Sequence, residues 1–519
     1  MNTRIIIDPV TRIEGHLKIE AVLENGTVKE ARSSGMLFRG LEIILRGRDP
    51  RDAQRITQRI CGVCPTAHAS ASTLALDAAF GVADKIPNNG RIVRNLIQGA
   101  NYIQSHVLHF YHLAALDYVD VTAVADYKGT DPTLNMVKSF IGRGNLAPFV
   151  PRYEGDYRLS ADLNRAAVAH YAQALDIRRQ AHEMLAIFGG HMPHNKSIVP
   201  GGVTEQVTVD KIAKFYWMLQ PLRQFIDNVY IPDVLAVAEA YPDYFGIGAG
   251  CGHYLAYGGL DLDTHADFTK RHRFLAQGTV SASDLAYQPL DASKIKEDVK
   301  HSWYDSDSNL YPLNGQTKPN PRKEGAYSWL KAPRYNGKPY EVGPLARTLV
   351  AYVRQEPQVR EWVDKVLAHF KAEPKALFSV LGRHAARAIE CKLIADAMAE
   401  WLMELKPGEP VYTSYTIPDE SEGMGLWEGP RGALGHWIKI KDKVIEIYQA
   451  VVPTTWNCSP RDDQGVPGPV EQAIEGTRVK DKDNPFELVR IVRSFDPCLA
   501  CAIHVVTPKG TEMGKFVLG

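Results

Sequence analysis

The chain has 519 residues, 45% of them apolar and 23% charged, with Lys+Arg and Asp+Glu both at 60. This composition suits a globular protein with a large core, and zero formal charge excludes electrostatic capture of nucleic acid or of an anionic membrane; a small neutral substrate fits. Seven cysteines are too few for a disulfide framework, and no apolar run reaches membrane-spanning length.

In chain order, residues 4–34 read as strands, with Asn25-Gly26 as a hairpin turn. Asp8 and Pro9 interrupt any signal-peptide core, so the chain is expected to be cytosolic or exported on a partner's signal. Thr11-Arg12-Ile13-Glu14-Gly15-His16 is polar for a strand interior, and its composition favours a surface strand with an Arg12–Glu14 pair. Asp49-Pro50 starts a helix that runs into Cys61, and Pro65 opens the next one, extending to about Phe80. Cys64 then sits at a helix N-terminus, where the peptide dipoles favour thiolate. His68 shares its face, able to donate to the sulfur or to be a satisfied core histidine.

Residues 90–119 form an amphipathic helix whose His106, His109 and His112 fit a core or an interface better than a metal triad. Residues 160–188 and 208–241 read as helices; His182-Glu183 lacks the second histidine of a zinc-protease motif. The alternating glycines 246–252 are not a nucleotide-binding loop. Residues 262–340 are loop-rich, 344–404 return to helix with Cys391 as a buried structural thiol, and the last segment alternates strands and turns. The expected fold is one large, mainly α, multi-helical domain with β-strand regions at the N- and C-terminal ends.

Two C-x-x-C pairs, Cys61/Cys64 and Cys498/Cys501, stand at opposite ends of the chain. Brought together they make a four-sulfur pocket. Structural zinc, a redox dithiol and a catalytic transition metal all compete for it, and spacing alone leaves zinc ahead. Four buried thiolates need nearby positive charge; Arg431, beside Gly432 and paired with Asp496, is the candidate. Glu14 and Glu42 are candidate proton carriers or hard-metal ligands.

Taken together, five motifs resemble those of the large, catalytic subunit of nickel–iron hydrogenases across essentially the whole chain. They are Asp8–His16, Arg39-Gly40-Leu41-Glu42, Arg59–Cys64, Pro430–His436 and Ser494–Cys501. The resemblance implies nickel held by Cys61, Cys64, Cys498 and Cys501. Cys64 and Cys501 would bridge to an iron carrying one CO and two CN ligands. Arg431, Pro430, Pro453 and Thr454 would surround these diatomics, and His68 would hydrogen-bond a bridging sulfur. Glu42, the Ala450 carbonyl and His504 would hold magnesium. The implied reaction is heterolytic splitting of H2, the proton going to the Cys498 or Cys501 sulfur, or to a base near Arg431 such as Asp496, and leaving through Glu14.

Cys251, Cys391 and Cys458 are too scattered for electron-carrying clusters, so an iron–sulfur small subunit is implied, in a heterodimer or a dimer of heterodimers. Nickel-insertion proteins and a maturation protease cutting after His504 are implied too. The domain would be 1–504 and the propeptide 505–519. Localisation would be periplasmic, or membrane-associated on the periplasmic side, by export with the small subunit. Some relatives carry an acid at the position of Ser105 and some carry selenocysteine at that of Cys498; here both differ. The alternatives are a structural-zinc interaction protein and a nickel-free large subunit like that of respiratory complex I, which would lack the cysteines.

Overall fold

A computed structural model describes residues 3–145, 149–150 and 152–502, with the backbone alone at Cys501 and Ala502. The chain begins as an antiparallel sheet of β1 (Thr3–Ile7), β2 (Leu17–Glu24) and β3 (Thr27–Gly35). Asn25 and Gly26 close the β2–β3 hairpin, both at positive φ, as a turn of this type requires. Two short helices, α1 (Leu41–Leu45) and α2 (Asp52–Thr57), lead into α3 (Pro65–Ala79), whose first position is the expected proline.

A helical layer follows: α4 (Asn88–Leu108), α5 (Pro132–Gly142), α6 (Ala161–Gly189), α7 (Val209–Phe225) and α8 (Ile231–Ala240), with the paired β4 (Ile198–Val199) and β5 (Gly202–Val203) between α6 and α7. Next come β6 (His253–Asp261), β7 (Arg273–Ser281) and β8 (Tyr287–Gln288), then the pair β9 (Ile295–Asp298) and β10 (Ala332–Tyr335). Helices α9 (Pro344–Val353), α10 (Pro357–Phe370) and α11 (Val380–Met403) precede the antiparallel meander β11 (Glu420–Gly429), β12 (Gly432–Lys441) and β13 (Val444–Val451). Four helices end the described chain: α12 (Pro453–Asn457), α13 (Pro469–Ile474), α14 (Phe486–Ser494) and α15 (Leu499–Ala502).

The mainly helical reading holds, with sheets in mid-chain as well as at the ends. Two local expectations fail. Residues 453–494 hold three helices rather than strands and turns, because Arg490 and Arg493 on α14 are buried and belong to its inner face. Residues 8–16 are no surface strand. The segment bends inward, with Arg12 and Gly15 at positive φ, and Arg12 pairs with Asp117 instead of Glu14.

α4 is buried along nearly its whole length and packs between α6 and α11. The alanine face of α3 lies against β11 closely enough that a Cβ on Gly425 would stand 2.0 Å from the Ala71 carbonyl oxygen. That contact needs glycine. Deep between α9, α11 and β11, Arg347 donates from Nε to Glu390 (2.5 Å) and from Nη1 to Glu428 (2.5 Å). Burial raises the Glu390 carboxyl, but Arg347 and the hydrogen bond from His106 outweigh it and hold it down to about 2. Glu428 is pushed by burial up to about 7 against the pull of Arg347. Replacing Arg347 with Leu strands two buried carboxylates, so the expected loss is about 3–5 kcal/mol, read by chemical denaturation of the purified protein.

Candidate metal centre

Cys61 leaves the short helical turn after α2 in extended conformation, and Cys64 is the N-cap of α3. The backbone N–H groups of Val63 and Cys64 both point at the Cys61 sulfur, at 3.2 and 3.4 Å. The Cys64 N–H is an orphan donor of the helix start and the Val63 N–H lies just before it; both are directed at a sulfur. Cys498 follows Asp496, a non-glycine residue at positive φ, and precedes α15. Its N–H donates to Thr454 Oγ1 at 3.0 Å, on the first turn of α12.

The fold thus joins residue 61 to residue 498. Their sulfurs lie 3.3 Å apart, and those of Cys61, Cys64 and Cys498 fall within 4.8 Å of one another, all buried and none in a disulfide. This is the only such group of potential metal ligands among the described residues. The side chain of Cys501 and the whole of His504 lie outside the described residues, as does the tail 505–519.

Glu14 comes to this cluster on the inward bend. Its N–H donates to the Pro497 carbonyl (3.3 Å) and its carbonyl accepts from Leu499 N–H (2.7 Å). Gly15 permits the approach, since a Cβ there would meet Leu499 Cβ at 2.7 Å. The Glu14 carboxylate then accepts from Ala500 N–H (2.8 Å) and stands 3.2 Å from the Cys498 sulfur. Burial, and next the charge of Cys61, raise the Glu14 carboxyl above the usual range.

On another side, Arg431 occupies the buried tip of the β11–β12 hairpin, next to Pro430. Its Nη2 is 3.0 Å from Asp496 Oδ1, an ion pair, and Nη1 is 3.4 Å from Ser105 Oγ. Burial works against the guanidinium charge; Asp496 and the cysteine sulfurs outweigh it and keep Arg431 protonated. Arg431 Nε and both Asp496 oxygens have no directed hydrogen bond, although all are buried. An orphaned buried donor, Arg431 Nε, beside a soft-sulfur cluster fits a metal group that carries small acceptor ligands. A closed zinc tetrahedron would use neither this cation nor Glu14.

The remaining expected residues divide. His68 is buried on α3, and its Nδ1 lies 3.2 Å from His436 Nε2. Pro453 is the first residue of α12, beside the centre through Thr454. Glu42 meets Ala450 through the Ala450 N–H (3.1 Å) and accepts from Thr317. Thr317, Gln449, Lys331 and Glu297 complete this buried polar patch; their scatter over two loops and two strands hid them from sequence reading. His106, His109 and His112 bond Glu390, the Arg493 carbonyl and the Tyr171 carbonyl, so they are core histidines.

The nickel-dependent hydrogenase family matches residues 39–504, and a HoxL-like family matches 4–34. The periplasmic NiFeSe hydrogenase large subunit of Desulfomicrobium baculatum is 45% identical, over 97% of this chain and 95% of that one. The uptake hydrogenase large subunit of Rhizobium leguminosarum bv. viciae is 38% identical, over 99% and 97%. The reduced Ni-Fe-Se hydrogenase from D. vulgaris Hildenborough superimposes with a TM-score of 0.86 at 46% identity, covering 97% of this chain and all of that one. Selenium appears in two of these names; residue 498 here is cysteine. A sulfur cluster closed by both chain ends and a family match running through both of its halves agree: the chain is a large subunit of the nickel-dependent hydrogenase family.

Proposed function

We propose that Cys61, Cys64, Cys498 and Cys501 hold a nickel–iron centre at which this chain cleaves H2 heterolytically. The observation that carries the reading is the placement of Glu14 on the Cys498 sulfur at 3.2 Å, opposite a buried Arg431. In this reading Cys61 and Cys498 would hold the nickel, and Cys64 and Cys501 would hold both nickel and iron. When bound, the metal pair supplies the cleavage of H2 and takes up its electrons.

The chain's own groups handle the proton and the pocket. Cys498 takes the proton on sulfur, and Glu14 accepts it from there. The raised affinity of Glu14 for a proton suits that transfer, and the Ala500 N–H holds the receiving carboxylate in place. Arg431, whose Nε has no directed hydrogen bond, would contact the CO and CN ligands of the iron, together with Pro430, Pro453 and Thr454. Asp496 fixes the guanidinium from behind. His68 would hydrogen-bond a cysteine sulfur of the centre, and Glu42, the Ala450 carbonyl and His504 would hold magnesium.

Electrons leave to an iron–sulfur small subunit in a heterodimer, or a dimer of such heterodimers, because the described cysteines outside the centre form no cluster. No helix among the described residues is long and apolar enough to cross a membrane. With one relative named periplasmic, export with the small subunit to the periplasm, or to its membrane face, is the localisation proposed. Nickel-insertion proteins load domain 1–504, and a maturation protease removes 505–519.

Three outcomes test this. Protein purified with its partner should contain nickel and iron and show infrared bands of CO and cyanide; zinc alone without those bands removes the reading. Glu14→Gln should lose hydrogen turnover roughly 100-fold or more while the same bands persist, and unchanged turnover contradicts the relay. Intact mass of active protein should end at His504; a mass that includes Gly519 rejects the processing step.

A further inference from the structure

Gln104 sits on α4 and is fully buried. Its amide nitrogen donates to the Val63 carbonyl at 2.8 Å and to Asn101 Oδ1 at 3.1 Å. Its amide oxygen accepts from Arg178 Nε at 3.2 Å and lies 3.1 Å from His182 Nε2, both on α6. Two oxygens face the nitrogen and two nitrogens face the oxygen, so the partners fix the amide in this orientation and make His182 a donor.

The Val63 carbonyl belongs to the same peptide unit as the Cys64 N–H. That N–H points at the Cys61 sulfur at 3.4 Å, and the Val63 N–H joins it at 3.2 Å. One peptide plane is therefore gripped at both ends, by Gln104 at its oxygen and by the Cys61 sulfur at its nitrogen. Hydrogen bonds in such a chain polarise one another, so donation to the carbonyl strengthens the N–H toward sulfur. None of the partners of Gln104 is a cysteine, yet its bond ends one peptide away from two of them.

Resting on the nickel–iron reading, we infer that Gln104 is a positioning residue for the nickel ligand Cys61. It holds the Val63–Cys64 peptide so that both N–H groups remain on that sulfur and draw electron density from it. Arg178 and His182 hold Gln104 itself from α6, which ties the geometry of the ligand loop to the helix packed against α4.

The test is Gln104→Glu, with Gln104→Leu beside it, in protein purified with its partner subunit. Glutamate keeps the shape and the contacts to Arg178 and His182. Kept ionised by Arg178, it has no N–H for Val63. Metal analysis, infrared bands, nickel electron-paramagnetic-resonance g values and turnover are read together. The expected result for Q104E is nickel and the infrared bands at normal levels, shifted nickel g values and a roughly 10-fold fall in turnover. If Q104L loads no metal, Q104E still decides. Nickel-loaded Q104E with unchanged g values and turnover overturns the inference alone. Unmodified protein without nickel overturns the nickel–iron reading, and this inference with it.

Discussion

Everything at the centre depends on one short piece of backbone pairing between the two ends of the chain. Glu14 and Cys498 form a parallel bridge, closed by the 2.7 Å bond from Leu499 N–H to the Glu14 carbonyl. Without that bridge, Cys498 has no fixed relation to Glu14, and the sulfur of Cys61 has no partner from the far end. Closing a loop of this length is entropically expensive, so the bridge cannot stand alone. It is held by Arg493 of α14, which donates to the Thr11 carbonyl at 2.8 Å and to Asp117 at 2.5 Å. Arg12 reaches the same Asp117 oxygen. One buried carboxylate thus anchors both strands of the bridge to the end of the central helical segment.

The same device recurs through the interior. Arg347 spans Glu390 and Glu428, Arg383 pairs with Glu341, Arg334 with Asp462, and Arg431 with Asp496. Each joins segments far apart in the chain. Buried pairs add little net stability, because desolvation offsets most of the attraction, but removing one partner is severe. Such pairs penalise wrong register more than they reward the right one. A chain that must close around a sulfur cluster over nearly five hundred residues benefits from that asymmetry.

How much could be read from the residues follows from whether their signals are local. Pro65 opens α3 and places Cys64 at a helix start, and Asn25-Gly26 makes its hairpin; both rest on backbone preferences of a few residues. Arg431 was legible for its fixed charge, and its ion pair with Asp496 forms as expected. The inward bend at 8–16 was not, because Arg12 finds its acid 105 positions away instead of at Glu14. Helix α14 was hidden for the same reason: buried arginines look like an outer face until their carboxylates are placed. Gln104 offered no signal at all, since a single amide in a polar-looking helix acquires meaning only when Val63 is beside it.

The sulfurs of Cys61 and Cys498, which face each other at 3.3 Å, differ in their surroundings. Cys61 accepts two backbone N–H groups, fixed by the start of α3. Cys498 instead faces a carboxyl that is raised by burial and by the charge of Cys61. Hydrogen-bond donors lower the electron density of the first sulfur, while the second lies beside a group ready to share a proton with it. Two identical thiols are thereby made unequal, by backbone donors at one sulfur and by a carboxyl at the other. In the proposed reaction that inequality favours proton transfer from the Cys498 sulfur to Glu14, and the Glu14–Cys498 bridge brings sulfur and carboxylate together within the same few ångströms.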